Sequence, residues 1–305
     1  MVRVVRKMNN NNEISASAVS RFFSRSVIKE LAKTGRSPMF ARLLVESGID
    51  RELAESVTIG EAFECAFGYL RQTEFRHEYA YKAALTHKVL LGTHSLNTAS
   101  MMTEFRVGRC KADVVILNGT GTVYEIKSER DSLSRLERQI DEYRKVFAAV
   151  NVIVGENHLA SVLDAVPSDV GVLRLSGRYQ ISEIRAAQNA PTRTDAASIF
   201  DVVSTREAGL ILKDLDYDIP DVPNTRRYQA YLEVFRTIPS TQAHCAMVKV
   251  LKKTRTLTHL APFIQDLPAS LQSVALSTKI SNIEFSNLIE VLGVPLAEAK
   301  GWAVS

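Results

Sequence analysis

The chain has 305 residues, of which 46% are apolar and 24% are charged, the balance of an ordinary soluble globular protein. This composition excludes disorder over the whole length. No apolar run approaches the roughly 20 residues that a membrane-spanning helix needs, and no apolar segment follows the basic N-terminus. We therefore expect a cytoplasmic protein with no membrane partner.

The net charge is only +4, and it comes from the N-terminal end, where residues 1–50 hold nine Lys or Arg against four Asp or Glu. Such a segment is compatible with phosphate contacts to a nucleic acid, although a similar surplus is common on plain solvated surfaces. The three cysteines form no C-x-x-C pair, so the sequence indicates neither a disulfide framework nor a zinc knuckle.

The first predicted elements are helices. A polar tract at 9–12 precedes apolar residues spaced three and four apart, with breaks at 35–38 and at Gly48, and this predicts three or four short helices. A further helix is expected over 73–91 and is predicted to end at Gly92.

Beyond that helix the apolar period changes to two, which is typical of β-strands. The strand-like runs are SMMTEFRV at 100–107, KADVVIL at 111–117, TVYEIKS at 122–128, VNVIVGEN at 150–157 and a weaker run at 171–175. A charged helix with Asp131 or Ser132 as its N-cap is expected between the third and fourth runs. This order predicts an α/β fold, in which helices flank a mixed β-sheet core.

The segment QNAPTRT at 188–194 is polar and contains proline, as linkers do, and most of the chain after it has helical spacing. The sequence thus predicts a helical N-terminal region at 1–72, an α/β core at 73–187 and a mainly helical C-terminal domain at 195–305. The last part includes RRYQAYLEVF at 226–235 and VKVLKKTR at 248–255. It is a candidate for DNA contacts, homodimer assembly or binding of a protein partner.

Charged residues lie inside the second and third strand runs, where buried strands normally exclude them. Because alternate side chains share a face, Asp113 and Glu125 can meet in one register family only. That register sets Leu117 opposite Gly121 and leaves a three-residue loop at 118–120, in which Asn or Gly can take the left-handed conformation. A two-residue loop would send the two carboxylates to opposite faces.

Two carboxylates a few ångströms apart repel each other unless a cation lies between them, and a divalent metal ion with oxygen ligands fits that role. Lys127 would share the face of Glu125. Its ammonium group would orient an attacking water or offset negative charge on a phosphate.

The order of Asp113, eleven residues and then Glu125-Ile126-Lys127 on a predicted hairpin resembles the D…E-x-K signature of the PD-(D/E)XK nuclease superfamily. Gln139 and Tyr143, four residues apart on the following helix, match the Q-x-x-x-Y motif of its RecB-like and phage-exonuclease-like branches. The resemblance covers 73–157 and implies a restriction-endonuclease-like fold that hydrolyses phosphodiester bonds with Mg²⁺ or Mn²⁺.

The resemblance also assigns roles to individual residues. It implies metal ligation by Asp113, Glu125 and the Ile126 carbonyl, water positioning by Lys127, an outer or second-metal role for Glu78, and a hold on the strand end or the metal-bound water by Gln139 and Tyr143.

Plainer interpretations stay open beside these roles. Asp113, Glu125 and Lys127 also fit a structural ion-pair cluster, and Glu78, Gln139 and Tyr143 also fit an ordinary helix surface. Glu74 or Glu104 is an alternative third carboxylate. We expect a metal-dependent deoxyribonuclease, exonuclease or endonuclease, in bacterial or phage DNA processing or defence. The alternatives are an inactive nucleic-acid- or protein-binding module on the same fold and an RNA-directed nuclease.

Overall fold

The computed structural model describes residues 14–54 and 56–304, which divide into two compact units. One unit combines the N-terminal part of the chain, through His87, with the C-terminal part from His259 onward. The other is the continuous segment Lys88–Thr258. The polar tract predicted at 9–12 lies outside the described residues.

Helices occur along the whole described chain. Their bounds are α1 Ala16–Phe22, α2 Arg25–Thr34, α3 Pro38–Ser47, α4 Ile59–Leu70, α5 Glu78–Leu85, α6 Leu91–Thr93, α7 Leu136–Arg144, α8 Leu159–Ala165, α9 Ala196–Val202, α10 Thr205–Asp214, α11 Asn224–Phe235, α12 Ser240–Thr254, α13 Ala261–Ile264, α14 Ala269–Leu276, α15 Asn282–Leu292 and α16 Leu296–Lys300. No helix among the described residues is long and apolar enough to span a membrane.

The strands lie together in the middle of the chain. They are β1 Ser100–Val107, β2 Cys110–Asn118, β3 Thr120–Lys127, β4 Ala149–Val154, β5 Gly171–Leu175 and β6 Ile181–Arg185. Within the described residues they form one six-stranded sheet in chain order, with β3, β4 and β5 mutually parallel and the remaining neighbours antiparallel. The predicted α/β class and mixed sheet are confirmed.

The short N-terminal helices follow the predicted breaks. Gly35 and Gly48 take left-handed conformations at the ends of α2 and α3, where a residue with a Cβ would be strained. Serine or threonine side chains accept a backbone N–H at the start of each of the first four helices: Ser15, Ser24, Ser37 and Thr58. The helices pack around buried aromatic rings, including Phe22, Phe40 and Phe63.

The prediction of one continuous helix over 73–91 is wrong. A single 3-10 turn at Thr73–Phe75 is followed by extended backbone at Arg76, and α5 begins only at Glu78. The Arg76 guanidinium is buried and donates to the Arg71 carbonyl at 2.9 Å, a contact that helical spacing does not reveal. Gly92 lies inside α6 and does not end it.

The β2–β3 hairpin has the predicted register. Leu117 lies opposite Gly121 and Val114 lies opposite Tyr124. The loop is tighter than expected because Asn118 and Thr120 also pair, which leaves Gly119 alone at the tip with φ +69°. Glycine adopts this conformation without steric cost.

Two other expectations need correction. Helix α7 starts at Leu136, after the predicted N-caps, and the Asp131 carboxylate instead accepts hydrogen bonds from the backbone and hydroxyl of Ser128. Strand β6 was not predicted, because its side chains are partly or largely exposed and show no apolar alternation.

The predicted domain boundaries differ from the two observed units. Residues 188–194 do not separate domains: Arg193 forms an ion pair with Asp169, and the backbone N–H of Ala190 donates to Ala148 at 2.9 Å. Helices α9 to α12 then contribute side chains such as Phe200 and Met247 to the same core as the sheet. This long-range packing places α9 to α12 in the same unit as the sheet. Of the predicted C-terminal domain, only the residues after Thr258 belong to the other unit.

One face of the sheet supports this shared core. It contributes Val115, Leu117, Val123, Val150, Val152, Val154 and Val172, which are buried with side chains of α7 to α12. Within this core His244 on α12 is 2% exposed, and its Nε2 accepts the backbone N–H of Ala148 at 3.3 Å. Burial lowers the pKa of His244 to about 4.

We predict that His244 makes unfolding pH-dependent between pH 6.5 and 4.5. Its pKa is lower in the folded chain than the ordinary 6.5, so the unfolded chain binds more protons and the free energy of unfolding falls as the pH falls. Two pH units correspond to about 2–3 kcal/mol. Urea unfolding of His244→Gln should lack this part of the pH dependence, and an unchanged dependence would contradict it.

Candidate functional site

The C-terminal end of β3 carries two buried charges. Glu125 is 2% exposed and Lys127 is 5% exposed. The Lys127 Nζ donates to the Glu125 Oε1 at 2.8 Å. Because a buried charge without a partner costs several kcal/mol, these two side chains depend on each other.

Helix α7 completes a hydrogen-bond network around this pair. Gln139 Nε2 donates to Glu125 Oε1 at 2.6 Å, and Gln139 Oε1 accepts from Lys127 Nζ at 3.0 Å. The Tyr143 hydroxyl lies 2.9 Å from Glu125 Oε2 and 2.9 Å from the Lys111 carbonyl, which share its one proton. The predicted residues Glu125, Lys127, Gln139 and Tyr143 are therefore brought together.

The protonation of this network follows from its burial. Burial raises the pKa of Glu125, while the Lys127 charge and the hydrogen bonds from Lys127, Tyr143 and Gln139 act in the opposite direction. Burial, followed by the Glu125 charge, raises the pKa of Tyr143 well above its ordinary 10. Tyr143 therefore stays neutral and remains a hydrogen-bond donor at all physiological pH values.

Asp113 lies where β2 and β3 separate. The pairing of the two strands runs from the hairpin tip to Val114 and Tyr124. Beyond that pair the Asp113 Oδ2 accepts the backbone N–H of Ile126 at 2.7 Å. The Asp113 side chain thus accepts a hydrogen bond that a backbone carbonyl accepts in a regular strand pair. This hydrogen bond holds the Asp113 carboxylate beside the Glu125-Ile126-Lys127 segment.

Glu104 faces Asp113 from the neighbouring strand. The β1–β2 pairing continues on both sides of these two residues, with Thr103 opposite Val114 and Phe105 opposite Ala112. A carboxylate oxygen of Glu104 lies within 4.8 Å of one of Asp113. Glu104 was named only as an alternative from the sequence, and the structure gives it a place in the site.

The backbone of β1 is irregular at Glu104, opposite Asp113. Glu104 has φ 56°, a conformation that residues other than glycine seldom adopt. Ala112 and Val115, which strict alternation would send to opposite faces, belong to one buried core. Strict alternation along β2 is therefore broken between Ala112 and Val115, on either side of Asp113. Such irregularities re-aim side chains and are frequent at functional sites.

The candidate residues thus form two adjoining clusters, which are joined where Asp113 accepts the backbone N–H of Ile126. Glu125 is held by α7, whereas Asp113 is near Glu104. Oxygens of Glu104, Asp113 and Glu125 do not all lie within 4.8 Å of one another. The Lys111 carbonyl, which accepts from Tyr143, was missed because a backbone acceptor leaves no signal in the sequence.

Glu78 and Glu74 belong to the other unit. Glu78 is the first residue of α5, and its carboxylate lies 2.5 Å from the Lys82 Nζ in an ion pair. Glu74 lies in the 3-10 turn before that helix. The metal role of Glu78 stays a prediction.

The chemistry of the donors restricts what the site can bind. Asp113 and Glu104 offer carboxylate oxygens within 4.8 Å of each other, whereas both oxygens of Glu125 accept hydrogen bonds from Lys127, Gln139 and Tyr143. The Lys111 Nζ lies 3.0 Å from Glu104 and offsets part of the negative charge. Oxygen donors of this kind suit Mg²⁺ and Mn²⁺, whereas thiolate and imidazole donors suit softer metals.

The fold and the site define a mixed α/β protein with a buried ionic network and an acidic pair at the end of a β-hairpin. This chain belongs to the bacteriophage P4 protein cII family, whose profile matches residues 71–267. That match includes the whole sheet and every candidate residue described above.

Two individual proteins are similar to parts of the chain. Protein cII of Enterobacteria phage P4 is 35% identical over 80 residues, which are 26% of this chain and only 30% of the length of the phage protein. A solved structure, the SPO1766 protein of unknown function from Silicibacter pomeroyi, matches 46% of this chain and 94% of its own with a TM-score of 0.30 and 20% identity.

We predict that Tyr143→Phe destabilises the fold, because the buried Glu125 Oε2 loses its donor. The loss of a hydrogen bond to a charged group should lower the free energy of unfolding by about 1.5–3 kcal/mol in urea titrations. Tyr124→Phe is the matched control, since Tyr124 lies on β3 and its hydroxyl makes no hydrogen bond within the described residues; we expect a change below about 0.5 kcal/mol. Equal effects of the two substitutions would show that the Tyr143 hydroxyl does not support Glu125.

Proposed function

We propose that this chain is a metal-dependent nuclease that hydrolyses phosphodiester bonds in DNA, with the restriction-endonuclease-like architecture of the PD-(D/E)XK superfamily. The element order supports this proposal. Helix α5 precedes the antiparallel meander β1–β2–β3, and α7 then leads into β4, which lies parallel to β3. The D…E-x-K residues fall on β2 and β3 of this arrangement.

The observation that carries the proposal is the buried network of Lys127, Glu125, Gln139 and Tyr143. A buried ion pair is weak evidence for stability, because apolar residues of similar volume are often at least as stable. The network also lies beside an acidic pair on irregular backbone. Activity at this strand end explains why so many polar groups are kept there.

The residues present fit Mg²⁺ or Mn²⁺. Asp113 and Glu125, with the Ile126 carbonyl, would hold the ion, and we add Glu104 to this set because its carboxylate lies near that of Asp113. The bound ion would polarise the phosphate and lower the pKa of a water. The role of Glu78 as an outer or second-metal ligand stays a prediction from the resemblance.

The protein's own residues would prepare the hydrolysis. Lys127, whose Nζ is fixed by Glu125 and Gln139, would hold the attacking water and offset the charge that develops on the phosphate oxygens. The water oxygen forms a bond to phosphorus and gives up a proton to solvent, while the bond from phosphorus to the leaving sugar oxygen breaks and that oxygen takes a proton from solvent to become a hydroxyl. Gln139 and Tyr143 would keep Glu125 in place while this occurs.

A non-catalytic binding module on the same fold is the second candidate. One observation favours it: both oxygens of the Glu125 carboxylate are already engaged by Lys127, Gln139 and Tyr143. The phage origin of the similar protein agrees with either role in bacterial or phage DNA processing or defence.

Cleavage assays separate these functions. We expect the purified chain to cut labelled linear or circular DNA with Mg²⁺ or Mn²⁺ and to stop when EDTA is added; RNA tested in parallel decides between the two nucleic acids. Asp113→Asn is the sharpest variant. Asparagine keeps an oxygen that can accept the Ile126 N–H, so the fold should persist, while loss of the charge should lower the cleavage rate by about 100-fold or more.

Lys127→Gln should also abolish cleavage, and Lys145→Gln is its control. Lys145 likewise pairs with a glutamate, Glu142, but lies at the surface, so its variant should cut at nearly the wild-type rate. Wild-type binding without cleavage under all these metals would favour the binding module. Cleavage that survives both Asp113→Asn and Lys127→Gln would contradict the proposed site.

A further inference from the structure

A groove of about 810 Å³ lies between α10 and α12, away from the residues discussed above. Two apolar side chains, Leu210 and Val250, are among its lining residues. The basic residues that line it come from both helices: Arg206, Lys213, Lys249 and Lys253. Arg206 and Lys213 are seven residues apart on α10, and Lys249 and Lys253 are four apart on α12, so each pair lies on one helix face. The second pair belongs to the segment 248–255, which lies in the region that the sequence makes a candidate for DNA contacts.

The acidic residues of the groove are already neutralised. Glu207 receives both Nε and Nη2 of Arg255 at 2.8 Å, and Asp214 forms an ion pair with Lys249. Burial alone would raise the pKa of Glu207, but the hydrogen bonds from Arg255, Ser204 and Thr254 lower it to about 2. Glu207 is therefore ionised and fully committed to its partners.

Three cations remain after this pairing. Arg206, Lys213 and Lys253 form no ion pair within residues 14–54 and 56–304. They give the groove a surplus of three positive charges. A groove lined by like charges with a partly apolar wall attracts a ligand that carries several negative charges.

The lining also restricts the kind of anion. It contains no aromatic side chain among the described residues, so it offers no platform on which a base could stack. It instead offers separated cations on two helix surfaces, which match successive phosphates of a nucleic-acid backbone. Leu210, which is 37% exposed, would pack against a sugar.

The groove is joined to the strand that carries Glu104. Arg255, which binds Glu207 in the groove wall, also lies over the Phe105 ring with its guanidinium carbon 5.3 Å from the ring centre. Phe105 directly follows Glu104 in β1. Helix α12 moreover packs against β2 and β3. A nucleic-acid strand bound in the groove would thus lie on the same compact unit as Asp113, Glu125 and Lys127.

We propose that the α10–α12 groove binds the phosphate backbone of DNA through Arg206, Lys213 and Lys253, as a contact separate from the active site. This proposal rests on the proposed function for the choice of DNA as ligand. It does not depend on hydrolysis, because a groove of this kind binds DNA whether or not the chain cuts it.

The test measures binding in EDTA, so that no metal-dependent cleavage occurs. Fluorescence anisotropy with two labelled DNA duplexes of unrelated sequence, over a range of NaCl concentrations, compares the wild-type chain with the triple variant Arg206→Gln, Lys213→Gln and Lys253→Gln. We expect the triple variant to bind both duplexes at least 10-fold more weakly at low salt. The slope of log affinity against log salt should fall by about 2–3, because each lost phosphate contact removes roughly 0.9.

Two controls separate the groove from net charge and from folding. The first removes three charges that do not line the groove, with Arg178→Gln, Lys145→Gln and Lys279→Gln, and should leave the affinity within about twofold of wild type. The second keeps the charge, with Arg206→Lys, Lys213→Arg and Lys253→Arg, and should restore most of the binding.

Unchanged affinity and unchanged salt slope in the triple glutamine variant would overturn the proposal, as would equal losses in the first control. Weakened binding of inorganic phosphate without weakened binding of DNA would also overturn it, since the groove would then hold a small anion. Loss of cleavage in Asp113→Asn with normal DNA binding would leave the groove proposal intact, so the two proposals fail independently.

Discussion

The burial of Lys127 beside Glu125 is the constraint on which the rest of the candidate site depends. Removing two charges from water costs several kcal/mol for each ion, and their attraction repays this only when the remaining hydrogen-bonding groups are satisfied. Gln139 and Tyr143 meet that condition from one face of α7. Through Tyr143, which also binds the Lys111 carbonyl, α7 contacts both β2 and β3 beyond the point where their pairing ends.

The acidic pair beside this network, Glu104 and Asp113, depends on a different feature, the irregular backbone of the strand. Glu104 in a left-handed conformation and the break in alternation at Asp113 bring two like charges together where a regular antiparallel pair would place apolar or oppositely charged residues. Both features reduce stability, and both lie next to the buried ion pair. Their coincidence is what a functional site predicts and what a purely structural hairpin does not.

Much of the site could be predicted because it obeys local periodicity. The spacing of Asp113 and Glu125 about a glycine-bearing turn predicted the β2–β3 register that is observed, and the interval of four predicted that Gln139 and Tyr143 share one helix face. The contacts that could not be predicted are non-local. The pairing of Glu104 with Asp113 depends on a strand irregularity, the break before α5 accompanies the burial of Arg76, and the long core of α9 to α12 decides the division into units.

The central claim is that Asp113 and the end of β3 hold a divalent metal ion for phosphodiester hydrolysis. A crystal of the wild-type chain soaked in Mn²⁺ tests it most directly, because anomalous scattering locates the ion without reference to activity. The account predicts Mn²⁺ bound to the Asp113 carboxylate together with a carboxylate oxygen of Glu125 or Glu104. Ordered side chains at these positions with no Mn²⁺ beside Asp113, or Mn²⁺ bound only elsewhere, would contradict it.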